Sequence, residues 1–161
     1  MLFDAGPDGD LWKRNATRMS SDLSSVEHVH LSHWHRDHSG GLLTAIKEIA
    51  HARPPGSDRV VLDLHPGRPD CRGWLAEDGI VSMELEASLE EFTAAGASVY
   101  NDAEPHLILH DTALVSGEIP RRTGYELGIP TGMRFISDEG KWQPDPLIMD
   151  ERFVMFNMKG K

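Results

Sequence analysis

SHWHRDHSGG, residues 32–41, is the stretch of this sequence that decides the fold. An apolar, strand-like run at residues 26–31 precedes it and an amphipathic helical pattern follows it. Imidazole and carboxylate are the usual ligands of zinc and similar divalent ions, and an open α/β sheet keeps its chemistry at such strand-to-helix turns. The four potential ligands, here called the histidine motif, are His33, His35, Asp37 and His38.

The spacing of the histidine motif suggests how it could bind metal. Side chains two residues apart on an extended chain point the same way, so His33 and His35 can hold one ion. A turn into the helix would aim Asp37 and His38 at a second position, or Asp37 would orient the water of a single ion. The alternative is a chance histidine cluster on a surface loop, in a chain with nine histidines.

Three stretches together resemble a known family. The first is the motif itself, which resembles the signature of the metallo-β-lactamase fold superfamily. Residues 2–6, Leu-Phe-Asp-Ala-Gly, resemble the strand end that precedes that signature. Residues 116–123, Ser-Gly-Glu-Ile-Pro-Arg-Arg-Thr, followed by Tyr125 and Glu126, resemble a loop of one branch. That branch is the 7,8-dihydropterin-6-methyl-4-(β-D-ribofuranosyl)aminobenzene-5'-phosphate synthase-like proteins.

The resemblance implies a layered α/β fold, described as α+β layers, that forms part of an αββα sandwich. Residues 1–161 would be one partial domain, mostly the first half of that sandwich. The two later histidines that complete the ion positions in this superfamily have no matching position here. The sequence leaves open whether His65, His106 or His110 supplies a missing ligand. His28 and His30 are predicted to be packing or hydrogen-bonded residues.

The resemblance also implies roles for individual side chains. A divalent ion, zinc with manganese or iron as alternatives, would lower the pKa of bound water to about 7. Asp37 is the predicted catalytic residue, which ligates a second ion or orients the hydroxide. Asp4 is predicted to support the metal loop through hydrogen bonds. Arg121 and Arg122 are predicted to contact an anionic group of the substrate, or else to be solvated loop charges.

Composition limits the partners and the compartment. The net charge of −10 argues against a nucleic-acid partner, because nucleic-acid binding draws on a basic face. The single cysteine, Cys71, excludes an internal disulfide and favours a reducing, cytoplasmic compartment. No apolar run approaches the roughly 20 residues of a membrane span. We expect a small-molecule substrate, and self-association through a sheet left uncovered by the half-sandwich.

The remaining elements follow from periodicity and turn residues. We predict helices that begin at Asp10, directly after the motif, and at Ser88, where Glu91 completes a capping box. Residues 66–79 are predicted to be a loop, and residues 117–132 a long irregular segment. The predicted strands are residues 26–31, 59–64, 98–100, 106–110, 113–116 and 152–158.

Two functional hypotheses remain. The first is a metal-dependent hydrolase, or a metal-assisted transferase like the synthase branch, that uses a metal-activated water or nucleophile. The second is a truncated, catalytically inactive remnant that binds metal weakly or acts only as a binding module. Stoichiometric metal after dialysis, lost on replacement of His33 and His35, would favour the first hypothesis.

Overall fold

A computed structural model describes residues 1–158 of the chain, and the last three residues lie outside that description. The helices are α1 (Gly9–Arg18), α2 (Arg36–Ser39), α3 (Leu42–Ala52) and α4 (Leu89–Ala94). The strands are β1 (Leu2–Phe3), β2 (His28–His30), β3 (Val60–Leu64), β4 (Cys71–Ala76), β5 (Gly79–Ser82), β6 (Ala97–Asn101), β7 (His106–Ile108), β8 (Ala113–Val115), β9 (Gly132–Ile136), β10 (Lys141–Pro144) and β11 (Val154–Phe156). Short 3₁₀ turns lie at Leu23–Ser25 and Ser137–Glu139.

The first sheet is parallel and carries the histidine motif at the end of one of its strands. Its order is β1-β2-β3-β6, with His30 beside Asp63 and Leu62 beside Val99. Helix α3 covers one face, where apolar side chains of β2 and β3 form the main core with it. Strand residues alternate between faces, so His28, His30 and Asp63 lie on the face opposite α3. The fully buried core residues of α3 are Leu42, Ala45, Ile46 and Ile49.

Two smaller sheets complete the layers. The second is antiparallel with order β10-β9-β4-β5, and the third has order β11-β8-β7. The layered α/β class predicted from the sequence is therefore confirmed. Strand β11 lies at an edge of the third sheet, where Met155 and Phe156 are about half exposed. The expected self-association through an uncovered sheet stays a prediction.

The predicted loop at residues 66–79 was wrong, because it contains β4 and the turn into β5. Strand β4 pairs with both β5 and β9, so it is a central strand. Its first three residues are buried and Trp74 and Leu75 are exposed, rather than alternating. Since a strand is recognised in sequence by a period of two, this segment gives no such signal.

Helix starts were predicted to within a few residues. The cap of α1 is Asp8 rather than the predicted Asp10, and its side chain accepts a hydrogen bond from the Leu11 N–H at 2.8 Å. The capping box of Ser88 and Glu91 at α4 is confirmed, with both reciprocal hydrogen bonds present. None of the helices in residues 1–158 has the length and apolar character needed to cross a membrane.

Candidate metal centre

The histidine motif lies in a tight turn between β2 and the short helix α2. His35 precedes the first residue of α2, so Asp37 and His38 fall in its first turn. The two glycines that follow allow a close approach to residues 5–7. A Cβ atom on Gly40 would lie 1.9 Å from the carbonyl oxygen of Pro7, and one on Gly41 would lie 2.2 Å from that of Ala5. Glycine is therefore required at both positions to hold the turn against the first strand.

The structure brings the side chains of the histidine motif together. The ring centroids of His33 and His35 are 4.8 Å apart, and those of His33 and His38 are 4.2 Å apart. A carboxylate oxygen of Asp37 lies 3.5 Å from Nε2 of His38. The three imidazoles thus form one contiguous group, with the carboxylate at its exposed side. Their role as metal ligands stays a prediction.

Asp4 contacts the motif from the end of β1. One carboxylate oxygen accepts from the Ser32 N–H at 2.7 Å. The other lies 2.7 Å from Nδ1 of His38 and 2.8 Å from the Ser32 hydroxyl. A carboxylate that accepts from one ring nitrogen leaves the other nitrogen free to bind a metal. Asp4 therefore directs Nε2 of His38 toward Asp37.

The electrostatics of the turn favour neutral imidazoles. Burial, together with the neighbouring His38 and His35, lowers the pKa of His33 to about 4. Burial likewise lowers the pKa of His35 to about 4, with the Arg72 guanidinium adding to the effect. Both rings are neutral at neutral pH, which is the form that ligates metal. The ligand types and the neutral rings of His33 and His35 suit a divalent ion, but the motif's ligand atoms do not all lie within 4.8 Å of one another in the described residues, so they would have to move closer to hold one.

Two functional candidates beside the motif were missed by the sequence reasoning. Asp150 is buried and accepts a hydrogen bond from the Trp34 N–H at 2.7 Å. Its carboxylate pairs with the buried guanidinium of Arg72, which also lies 2.7 Å from Asp145. Burial alone would raise the pKa of Asp150, but the charge of Arg72 holds it below its usual range. The pair places a carboxylate and a fixed cation next to His33 and His35.

The three histidines considered as missing ligands lie in different places. The Nδ1 atom of His65 accepts from the Gly67 N–H at 3.0 Å, and its Nε2 lies 3.7 Å from Glu118. His106 contacts Asp63 on the first sheet. His110 is exposed, and its backbone has a φ of 54°. The strand predicted at residues 106–110 ends at Ile108, so His110 does not share a strand face with His106.

The two arginines predicted to contact substrate differ in how firmly the protein holds their side chains. The guanidinium of Arg121 donates to the carbonyls of Leu147 and Ile148 and pairs with Glu151. Arg121 therefore fixes the loop that carries it. Arg122 is exposed, and its backbone N–H donates to Glu126 at 3.0 Å. Contact of either arginine with a substrate stays a prediction.

A cavity of about 370 Å³ opens beside the motif. His35 and Asp37 line it on one side, together with Arg72. Trp74, Met83, Ile129 and Met133 give it largely apolar walls. An apolar cavity with a few converging polar groups is the usual form of a small-molecule site.

A second group of potential ligands lies inside the fold. In the described part of the chain, one set of three has ligand atoms that all lie within 4.8 Å of one another: His28, His30 and Asp63. All three are buried on the first sheet. Burial alone would raise the pKa of Asp63, but contacts with His28 and His30 and the charge of Arg152 hold it far below its usual range. Burial lowers the pKa of His30.

Comparison with known proteins gives two distant similarities. The chain is 28% identical over 119 residues to the lactamase-like protein nscB of Aspergillus fumigatus, covering 73% of this chain and 33% of that protein. It is 33% identical over 67 residues to the thioesterase pkgB of Emericella nidulans, covering 37% of this chain and 20% of that protein. The chain thus spans a third or less of each relative. No protein-family model matches it. The first similarity supports the metallo-β-lactamase superfamily and does not reach the synthase-like branch.

Proposed function

We propose that this chain belongs to a metal-dependent hydrolase of the metallo-β-lactamase fold, acting on an ester, thioester or lactone. The observation that carries the proposal is the position of the histidine motif. The rings of His33, His35 and His38 are neighbours, the carboxylate of Asp37 lies 3.5 Å from His38, and His35 and Asp37 line an apolar cavity. A thioesterase and a lactamase-like protein among its relatives support hydrolysis as the reaction class.

The residues of the chain divide the work between holding an ion and binding a substrate. His33, His35 and His38 would hold the ion, and a bound zinc would supply hydroxide at neutral pH. Asp37 is exposed at the cavity mouth, so it can orient water and accept a proton. Asp4 keeps His38 in position. The apolar walls suit an acyl group or a ring, which would place the scissile carbonyl near Asp37.

A transferase of the synthase-like branch is the second candidate. The sequence of residues 116–126 is the observation that favours it, because that loop resembles the branch. The substrates would be a pterin diphosphate and a ribosyl-aminobenzene phosphate, with the metal site helping diphosphate leave. Arg122 is the exposed cation of that loop that could meet a phosphate.

The test measures hydrolysis by the chain after metal removal and reloading with zinc, manganese or iron in turn. Acyl thioesters, aryl esters and lactones are the substrates, and His33→Ala/His35→Ala is the variant that removes the site. His51→Ala is the matched control, because His51 is exposed at the end of α3. We expect metal-dependent turnover that the double variant lacks and the control keeps.

Three other outcomes separate the alternatives. Turnover that survives His33→Ala/His35→Ala would place the reaction elsewhere in the chain and overturn the proposal. Diphosphate release from a pterin diphosphate, without ester hydrolysis, would favour the transferase. Stoichiometric metal without turnover of any substrate would favour the inactive remnant.

A further inference from the structure

A carboxylate oxygen of Asp63 is surrounded by three imidazoles on the face of the first sheet opposite α3. That oxygen, Oδ2, lies 3.2 Å from Nε2 of His28 and 3.8 Å from Nδ1 of His30. It also lies 2.8 Å from Nε2 of His106. The other oxygen of Asp63 accepts from the Arg152 guanidinium at 2.7 Å. Arg152 thereby fixes the carboxylate so that Oδ2 faces the histidines.

His30 lacks the hydrogen bonds that its burial requires. Its relative exposure is 0%, and neither ring nitrogen has a hydrogen-bond partner within the described residues. The 3.8 Å separation from Asp63 is beyond hydrogen-bond range. A buried polar group without a partner is rare and calls for a ligand or another explanation. The unpartnered ring points toward the same oxygen as its neighbours.

The ring of His106 supplies an independent argument. Its Nδ1 lies 2.9 Å from the carbonyl oxygen of Glu104, which can only accept, so Nδ1 carries a hydrogen. In a neutral ring, Nε2 then presents a lone pair to the Asp63 oxygen 2.8 Å away. Two acceptors at that distance need a proton or a cation between them. A histidine that donates one nitrogen to a carbonyl and turns the other inward is the usual arrangement of a metal ligand.

We propose that His28, His30, Asp63 and His106 form a second, structural metal site that takes zinc. Three imidazoles and one carboxylate are a zinc donor set, and four protein ligands are typical of a closed structural site. In a tetrahedron with metal–ligand distances of about 2.0–2.1 Å, ligand atoms are about 3.4 Å apart. The measured distances to the Asp63 oxygen, 2.8, 3.2 and 3.8 Å, bracket that value.

The site would join two layers of the fold. His28 and His30 lie on β2 and Asp63 on β3, whereas His106 begins β7 of the third sheet. His106 is not in the set whose ligand atoms all lie within 4.8 Å of one another, so its ring has to move closer to His28 and His30 when an ion binds. It has the most exposed side chain of the four, at 14%. A cavity of about 290 Å³ lined by His28, Tyr100 and His106 gives an ion a path from solvent. No residue is shared with the histidine motif, so this proposal and the proposed function can fail separately.

The test measures zinc binding to the full chain carrying His33→Ala and His35→Ala, so that the histidine motif cannot bind the metal. After dialysis we expect about one zinc per chain by elemental mass spectrometry, and a melting temperature that rises on zinc addition. Adding His106→Ala should weaken zinc binding at least tenfold and abolish the rise. His110→Ala, an exposed histidine beyond the same strand, is the control that should change neither. Equal zinc binding with and without His106 would refute the site.

Cobalt spectroscopy covers the case in which the His106 variant does not fold. Cobalt bound to the His33→Ala/His35→Ala background should show the strong visible absorption of tetrahedral coordination. A weak octahedral spectrum, or no bound cobalt, would overturn the proposal without any variant of the buried residues.

Discussion

Replacing Arg152 with methionine removes the cation of a fully buried ion pair. The side chains of Arg152 and Asp63 both have a relative exposure of 0%, and their closest atoms are 2.7 Å apart. Arg152 also donates to the carbonyl oxygens of Leu31 and Asp63, each at 3.0 Å. Methionine keeps an unbranched chain of similar length, so the change isolates the loss of charge and donors.

The expected loss of unfolding free energy is about 3–5 kcal/mol, because one partner of a buried pair is left uncompensated. For a chain of this size, about 2–4 °C per kcal/mol predicts a fall in melting temperature of about 6–20 °C. The matched control is Lys13→Met, which breaks the ion pair between Lys13 and Glu48. The side chain of Lys13 is 55% exposed and that of Glu48 is 30% exposed. Exposed pairs contribute about 0.2–1 kcal/mol.

The assay is urea and thermal unfolding, followed by circular dichroism in the presence of EDTA. The reasoning is refuted if Arg152→Met loses no more stability than Lys13→Met.

Three further predictions concern the turn, a helix cap and a buried carboxyl. Gly40→Ala should lower the free energy of unfolding by about 1–3 kcal/mol and reduce metal retention, because the added Cβ would lie 1.9 Å from the Pro7 carbonyl oxygen. Urea unfolding measures the first effect, and metal analysis after dialysis measures the second. Ser88→Ala should lower the free energy of unfolding by about 1 kcal/mol, because the α4 capping box is lost. Thermal melts measure this loss, and Ser24→Ala is the control, because Ser24 lies outside any α-helix. Burial raises the pKa of Glu86, so this carboxyl binds more protons in the folded protein than in the unfolded protein. The contribution of Glu86 to the free energy of unfolding therefore falls as pH rises above about 4.5. Glu86→Gln should therefore gain stability relative to the unmodified chain between pH 4.5 and 7; an unchanged difference would contradict this.

Much of the first sheet was predictable because its signals are local. The apolar run in β3 indicated a strand buried in a parallel sheet, and the periodicity after the motif predicted α3. The turn between β2 and α3 contains Gly40 and Gly41, which directly follow the motif in the sequence. Each of these features depends on residues within a few positions of one another, so the sequence pattern carries them directly.

The surroundings of the candidate sites could not be predicted in the same way. The contacts of Arg72 with Asp150 and of His106 with Asp63 join residues 78 and 43 positions apart. No regular sequence spacing identifies such distant pairs. Strand β4, which positions Arg72, also lacks the alternation of buried and exposed residues by which a strand is recognised. His28 and His30 were predicted to pack or hydrogen-bond, and their convergence on Asp63 depends on the register between β2 and β3.

The contacts between residues 31–34 and residues 150–152 set an order of events during synthesis. Trp34 donates to Asp150, 116 positions later, and Arg152 donates to the carbonyl of Leu31, 121 positions earlier. At about 5–20 residues per second, a ribosome needs roughly ten seconds to add the intervening residues. The turn that carries His33 and His35 therefore leaves the exit tunnel long before residues 150–152, and it reaches its final geometry only when those residues pack against it.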